Sequence, residues 1–105
     1  MATNRLEILL QMLELDPKNS FARYGLAMEY AAAGRLEQAV AEYRTLVGND
    51  PAYVAAYFHL GQTLEKLGKL AEAREIYEQG LVAASAKGDG HTRSEIQAAL
   101  DLLPV

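Results

Sequence analysis

Apolar residues along the chain recur at intervals of three and four, the period of helices that each bury one face. Leu26, Ala27 and Tyr30 share one such face, and Ala39, Tyr43 and Leu46 share another a little further on. Between them stands Gly34, which can end a helix in the left-handed conformation at little steric cost. The arrangement then repeats. Asp16-Pro17 returns as Asp50-Pro51, and Gly34-Arg35-Leu36 as Gly68-Lys69-Leu70, both 34 residues on. The same offset carries Tyr24 to Phe58, Leu26 to Leu60, Ala27 to Gly61, Tyr30 to Leu64, Ala39 to Ala73, Tyr43 to Tyr77 and Val47 to Leu81. Each unit is predicted to be two helices joined by a short turn, and the chain an all-α array of antiparallel helix pairs.

Proline cannot continue an incoming helix but suits the first turn of the next, so Asp50-Pro51 is expected to separate the units, with Asp50 as N-cap. Ala27, Gly61, Ala39 and Ala73 are expected on packing faces, where a small side chain lets neighbouring backbones approach. These residues resemble the tetratricopeptide repeat, whose pattern is a leucine and small-residue pair, an aromatic, a small alanine, a second aromatic and a closing proline. Leu26, Ala27, Tyr30, Ala39, Tyr43 and Pro51 fill those slots once, and Leu60, Gly61, Leu64, Ala73 and Tyr77 fill them again. Two positions depart from the pattern. Arg23 stands where the family places a large aromatic, a role Tyr57 takes in the next unit, and Ser85 replaces the closing proline.

The resemblance implies an α-solenoid of about six helices in one domain, 1–105, with a leading half repeat at 3–17, full repeats at 20–53 and 54–87, and a capping helix at 92–103. Lys87-Gly88-Asp89-Gly90-His91 breaks the period. Thr92-Arg93-Ser94-Glu95 then reads as a capping box opening the last helix, whose Ile96, Ala99, Leu100 and Leu103 share one face. Gly80 interrupts a helical run, and close approach of the last helix is the expected reason, with a local bend as the alternative. The first helix carries two apolar stripes: Leu6, Leu9, Leu10 and Leu13 in one, Ile8, Met12 and Leu15 in the other. Only Asn4, Glu7, Gln11 and Glu14 form a polar strip. Either the short array covers or tolerates both stripes, or Ile8, Met12 and Leu15 join two copies as a homodimer.

The resemblance also implies that the first helix of each pair lines a concave groove. Phe21, Tyr24, Met28 and Ala31 would face it from one unit, and Tyr53, Ala55, Phe58, His59, Gln62, Glu65 and Lys66 from the next. Aromatic side chains bury much area at low rotamer cost and methionine adapts to irregular shapes, so this stripe is either core or a surface for an apolar peptide or protein segment. Some family members grip the carboxylates of chaperone tails with a clamp of basic and amide side chains. Tyr24 and Met28 occupy two of those slots, and Ser94 and Ala98 two later ones, which disfavours a chaperone-tail adaptor.

Composition narrows the function classes. Ten Lys and Arg against fourteen Asp and Glu leave a net charge of −4, opposite to the basic footprint that nucleic acid requires. No run of about 18 apolar residues could span a bilayer, and the opening Met1-Ala2-Thr3-Asn4-Arg5 leads into a segment with Glu7, Gln11 and Glu14, unlike a signal peptide. A cytoplasmic protein without a membrane partner is expected. There is no cysteine, and only His59 and His91 among histidines, with no nucleophile elbow or phosphate loop. His59, Gln62 and Glu65 lie at helical spacing but read better as solvated groove residues than as a metal site or general base. Neither catalysis nor a cofactor or metal is expected; protein binding is.

Overall fold

The computed structural model describes residues 4–104, which form six helices and no strand. In chain order they are α1 (Arg5–Leu15), α2 (Ser20–Ala32), α3 (Leu36–Asn49), α4 (Val54–Lys66), α5 (Leu70–Lys87) and α6 (Gly90–Leu102). The expected start of the first helix at Thr3 lies outside the described residues. Within them, Asn4 caps α1 by accepting the Glu7 N–H at 2.9 Å. Consecutive helices pack on one another along the whole chain, and α6 also reaches back to α4. The result is elongated, 46 × 29 × 20 Å, as a stack of helix pairs requires.

The turns within pairs are alike. Gly34 and Gly68 have φ of 78° and 77°, the left-handed region that a side chain would strain. In each, the next residue's N–H returns to the third carbonyl from the helix end: Arg35 to Tyr30 at 2.8 Å, and Lys69 to Leu64 at 2.9 Å. This closes orphan carbonyls and reverses the chain in three residues.

The turns between pairs differ from expectation. Asp50 does not cap α4; it ends α3, its N–H bound to the Leu46 carbonyl at 2.8 Å. Its carboxylate instead accepts the Ser20 hydroxyl at 2.8 Å, fastening the start of α2 to this turn. Pro51 and Ala52 lie in the turn, and α4 starts at Val54 after Tyr53. In the equivalent place, Asn19 caps α2 through the Ala22 N–H at 3.0 Å.

Arg23, the departure from the family pattern, still does what Tyr57 does one unit later. Arg23 Nη2 donates to the Pro17 carbonyl at 2.8 Å, and the Tyr57 hydroxyl donates to the Pro51 carbonyl at 2.9 Å. Both tie a helix to the proline turn before it. Arg23 Nη1 also meets Glu42 of α3 at 2.6 Å, a mostly buried ion pair.

Without a proline at Ser85, α5 continues to Lys87 and ends on a third left-handed glycine, Gly88, with the Asp89 N–H on the Ala84 carbonyl at 2.9 Å. The expected capping box at Thr92 does not form. Asp89 is the N-cap, accepting the Thr92 N–H at 3.0 Å and its hydroxyl at 2.8 Å, so α6 starts at Gly90. Those two bonds hold the Asp89 carboxyl below its usual range.

The main core runs from Ala27 through Tyr43, Leu46, Leu60, Leu64 and Tyr77 to Ile96 and Leu103. Two glycines permit its tightest contacts. A Cβ on Gly61 would stand 2.1 Å from the Tyr77 ring, and one on Gly80 would stand 2.8 Å from Tyr57 Cβ and 2.9 Å from Ile96 Cδ1. The expected reason for Gly80 therefore holds, with α4 as well as the last helix pressing on it. A separate small cluster, Leu9, Ala22 and Leu26, joins α1 to α2.

Candidate functional site

Helices α2 and α4 contribute a contiguous row of aromatic rings. Tyr24 on α2 lies 5.2 Å from Tyr53, 5.7 Å from His59 and 6.3 Å from Tyr43. His59 in turn stacks on Tyr43 at 6.4 Å and meets Phe58 edge-on at 5.4 Å. The 34-residue period creates this row, because Tyr24 and Phe58 are equivalent positions on successive first helices, one of them with His59 beside it.

The ring row is neither wholly core nor wholly surface. Tyr24, Tyr53 and Phe58 pack their inner edges on the main core yet are only half-buried, as are Ala55, His59 and Glu65. Gln62 and Lys66 continue along α4 and are exposed. Phe21 and Met28 adjoin the row at Tyr24, and Met28 takes the Tyr43 hydroxyl from beneath it. They line a hollow of about 480 Å³ with Arg5 of α1 and with Tyr24, Gly25, Glu29 and Ala32. The structure thus gathers Tyr24, Tyr53, Phe58 and His59 as one surface, which continues through Tyr24 to Phe21 and Met28 beside Arg5 of α1.

Two polar contributors were not among the expected residues. The Tyr43 phenol crosses from α3 beneath the row and donates to the Met28 sulfur at 3.1 Å. Its sequence position marks it as core, which its ring is; only its length brings the hydroxyl to this face. Glu95 of α6 acts electrostatically on both Tyr24 and His59, bringing a negative charge to the row. Reading Glu95 as half of a capping box obscured that role.

Burial sets the protonation states. It pushes the Tyr43, Tyr24 and Tyr53 phenols up, reinforced by Tyr24, by Tyr53 with Glu95, and by Asp50 respectively. All three remain protonated donors at neutral pH. Burial pushes His59 below its ordinary value against the opposing pull of Glu95, so its imidazole is neutral. The Glu65 carboxylate is taken by the Tyr77 hydroxyl, whose pKa burial and this bond raise. Among the described residues no three His, Asp or Glu side chains gather as metal ligands would. What this face offers is flat aromatic area with neutral hydrogen-bonding edges, suited to packing against a side chain or backbone segment.

The self-association stripe is also rearranged. Leu15 is 90% exposed and Ile8 45%, but Met12 packs beside Leu9 on the small cluster. Leu10, of the other stripe, is 41% exposed. No helix among the described residues is long and apolar enough to cross a membrane.

A family model described as tetratricopeptide repeat matches residues 24–89. A TPR repeat-containing protein of Pseudomonas aeruginosa is 36% identical over 91 residues, 87% of each chain. The solution structure of a Bordetella parapertussis protein is 33% identical, covers 97% of this chain and 89% of its own, and superposes with a TM-score of 0.83. The crystal structure of PcrH in complex with the chaperone binding region of PopD has a TM-score of 0.87 at 21% identity, covering 93% of this chain and 74% of that one. At that identity the likeness is one of fold.

Proposed function

The chain belongs to the tetratricopeptide-repeat family, and on that premise we propose that it is a non-catalytic protein-interaction module whose α2–α4 face holds an apolar helical or extended segment of a partner protein. The observation that carries this reading is the half-buried ring row Tyr24, Tyr53, His59 and Phe58. Rings anchored on the core lose little rotamer freedom when a partner covers their outer edges, which is how aromatic anchors come to dominate interface energies. Ala55 leaves room between rings, and Gln62, Glu65 and Lys66 supply a polar rim. PcrH, of the same fold, is in complex with a segment of another protein, which supports a segment rather than a small molecule as the occupant. A carboxylate tail is a poorer fit, since Glu95 brings negative charge to the face. The reading places the protein in the cytoplasm.

The test is capture of binding partners by the wild type and by Tyr24→Ala with Phe58→Ala, each checked for helicity. The reading expects specific partners to be lost while the circular dichroism spectrum is kept. Equal capture by a folded variant would count against this face.

A further inference from the structure

Large apolar side chains that solvent reaches are concentrated at one edge of the molecule. Five of the eight among the described residues lie on α1 and α2: Ile8, Leu10, Leu15, Phe21 and Met28. The 34-residue period tells what such positions look like inside the array. Ile8, Leu15, Phe21 and Met28 correspond to Glu42, Asn49, Ala55 and Gln62 in the next unit, and Ile8 corresponds one period further to Ile76, which is buried in the main core. In the next unit a preceding first helix, α2, lies alongside: its Arg23 pairs with Glu42 and its Tyr24 ring meets His59. On α1 no described residue fills the corresponding place. The edge thus keeps apolar side chains of the kind that Ile76 buries inside the array, and on α1 and α2 solvent reaches them.

The shape of this edge indicates the occupant. Arg5 lines the hollow of about 480 Å³ beside Phe21, Tyr24, Gly25, Met28, Glu29 and Ala32. From Arg5, Ile8 and Leu15 run on along α1 at helical spacing as a ridge. Ridge and hollow side by side on one protomer form a self-complementary surface, as a two-fold contact requires. Taking about 150–250 Å² as the area that aromatic Phe21 can bury and about 60–120 Å² for each aliphatic side chain, the exposed fractions of Ile8, Leu15, Phe21 and Met28 (45, 90, 66 and 39%) offer on the order of 300 Å² of apolar surface. A standard interface buries about 800 Å² per partner, about 65% of it apolar in homodimers. These four side chains supply roughly half of that apolar share.

We propose that this edge joins two copies of the chain about a two-fold axis, the Ile8–Leu15 ridge of each seated in the hollow beside Phe21 and Met28 of the other. The contact goes beyond the α2–α4 binding reading: it shares Tyr24 with that face, since Tyr24 lines the hollow, and leaves Tyr53, Phe58 and His59 open to a partner in both copies.

Light scattering over a dilution series from millimolar to micromolar tests it. The wild type should show twice the 11.5 kDa chain mass at the upper end. Ile8→Glu with Leu15→Glu, and separately Phe21→Glu, should halve the mass with the helical spectrum kept, since these side chains are largely exposed. Val82→Glu, an equally exposed apolar site on α5, should leave the dimer intact. A single-chain mass for the wild type at millimolar concentration overturns the proposal, and so does a dimer that survives both α1–α2 variants. Dissociation by Phe58→Glu without dissociation by Leu15→Glu also overturns it, and would move self-association to the binding face. Loss of partner capture with the dimer kept, or the reverse, separates failure of this contact from failure of the binding reading.

Discussion

The two ends of the array are built on opposite principles. At the α6 end, Ile96 and Leu103 sink into the main core and the helix rests on both α4 and α5. At the α1 end, Leu9 is the only buried residue of its helix, the small cluster there is separate from the main core, and α1 packs on α2. The cause lies in two places. The absent proline lets α5 run to a left-handed Gly88 that turns the chain back, and Gly80 removes the side chain that would keep Ile96 away. Among the described residues nothing comparable draws a second helix onto α1. The difference teaches that one end of this repeat is finished as a surface, while the other keeps the character of an interior position.

The largest expected effect is therefore at the closed end. Ile96→Ala should cost about 2–5 kcal/mol, since a fully buried side chain is removed from a core touched by three helices. Urea denaturation reads it as a lower midpoint for the whole molecule. The parallel change Leu9→Ala should fall at the low end, about 2 kcal/mol, because the small cluster can collapse. Hydrogen exchange should place that loss in α1 alone, and an equal global loss for both variants would break the comparison.

Next in size is Gly80→Ala. Its methyl would press on Tyr57 and Ile96, an overpacking cost of about 1–3 kcal/mol set against about 1 kcal/mol of recovered helix propensity. A net loss of about 1 kcal/mol is expected. In the Ile96→Ala background part of the contact is gone, so the loss should shrink, a coupling that a double-mutant cycle measures. Smaller still, Leu15→Glu at the open end should change chain stability by less than about 0.5 kcal/mol, as its side chain touches little.

Much of this organisation was legible because periodicity survives any detail of packing. The 34-residue offset fixed which helices pair, and Gly34 and Gly68 marked turns whose positive φ only glycine adopts freely. Helix starts were less legible. Thr92-Arg93-Ser94-Glu95 and Asp89-Gly90-His91-Thr92 offer competing N-caps three residues apart, and the second prevails with Asp89 held by two Thr92 bonds. Asp50 looked like a cap for the helix after it, but its carboxylate goes to Ser20, thirty residues away, which local pattern cannot reveal. At the candidate site the sequence supplied Tyr24, Tyr53, Phe58 and His59. It did not supply Glu95, since only the packing of α6 brings that charge near, nor the placing of Phe21 and Met28 toward Arg5.

The subtlest expected effect concerns His59. Its folded pKa lies below the unfolded value of about 6.5, so the unfolded chain binds more protons in the interval between them. Stability is then fully present above about pH 6.5 and is lost as pH falls through the folded value. Thermal melts should show an acid-side loss that His59→Gln lacks. Glu95→Gln should lower the imidazole pKa further, read by its proton chemical shifts, because the carboxylate that favours the charged ring is gone.

The central claim, that the ring row on α2 and α4 holds a partner segment, is met most directly by site-specific photo-cross-linking. A benzophenone side chain would replace Phe58 in one protein and Val82, beside the Pro51 turn, in another. The account predicts a discrete partner adduct from the first, with its attachment point in an apolar segment, and none from the second. The same adduct from both positions, or from Val82 alone, would contradict it.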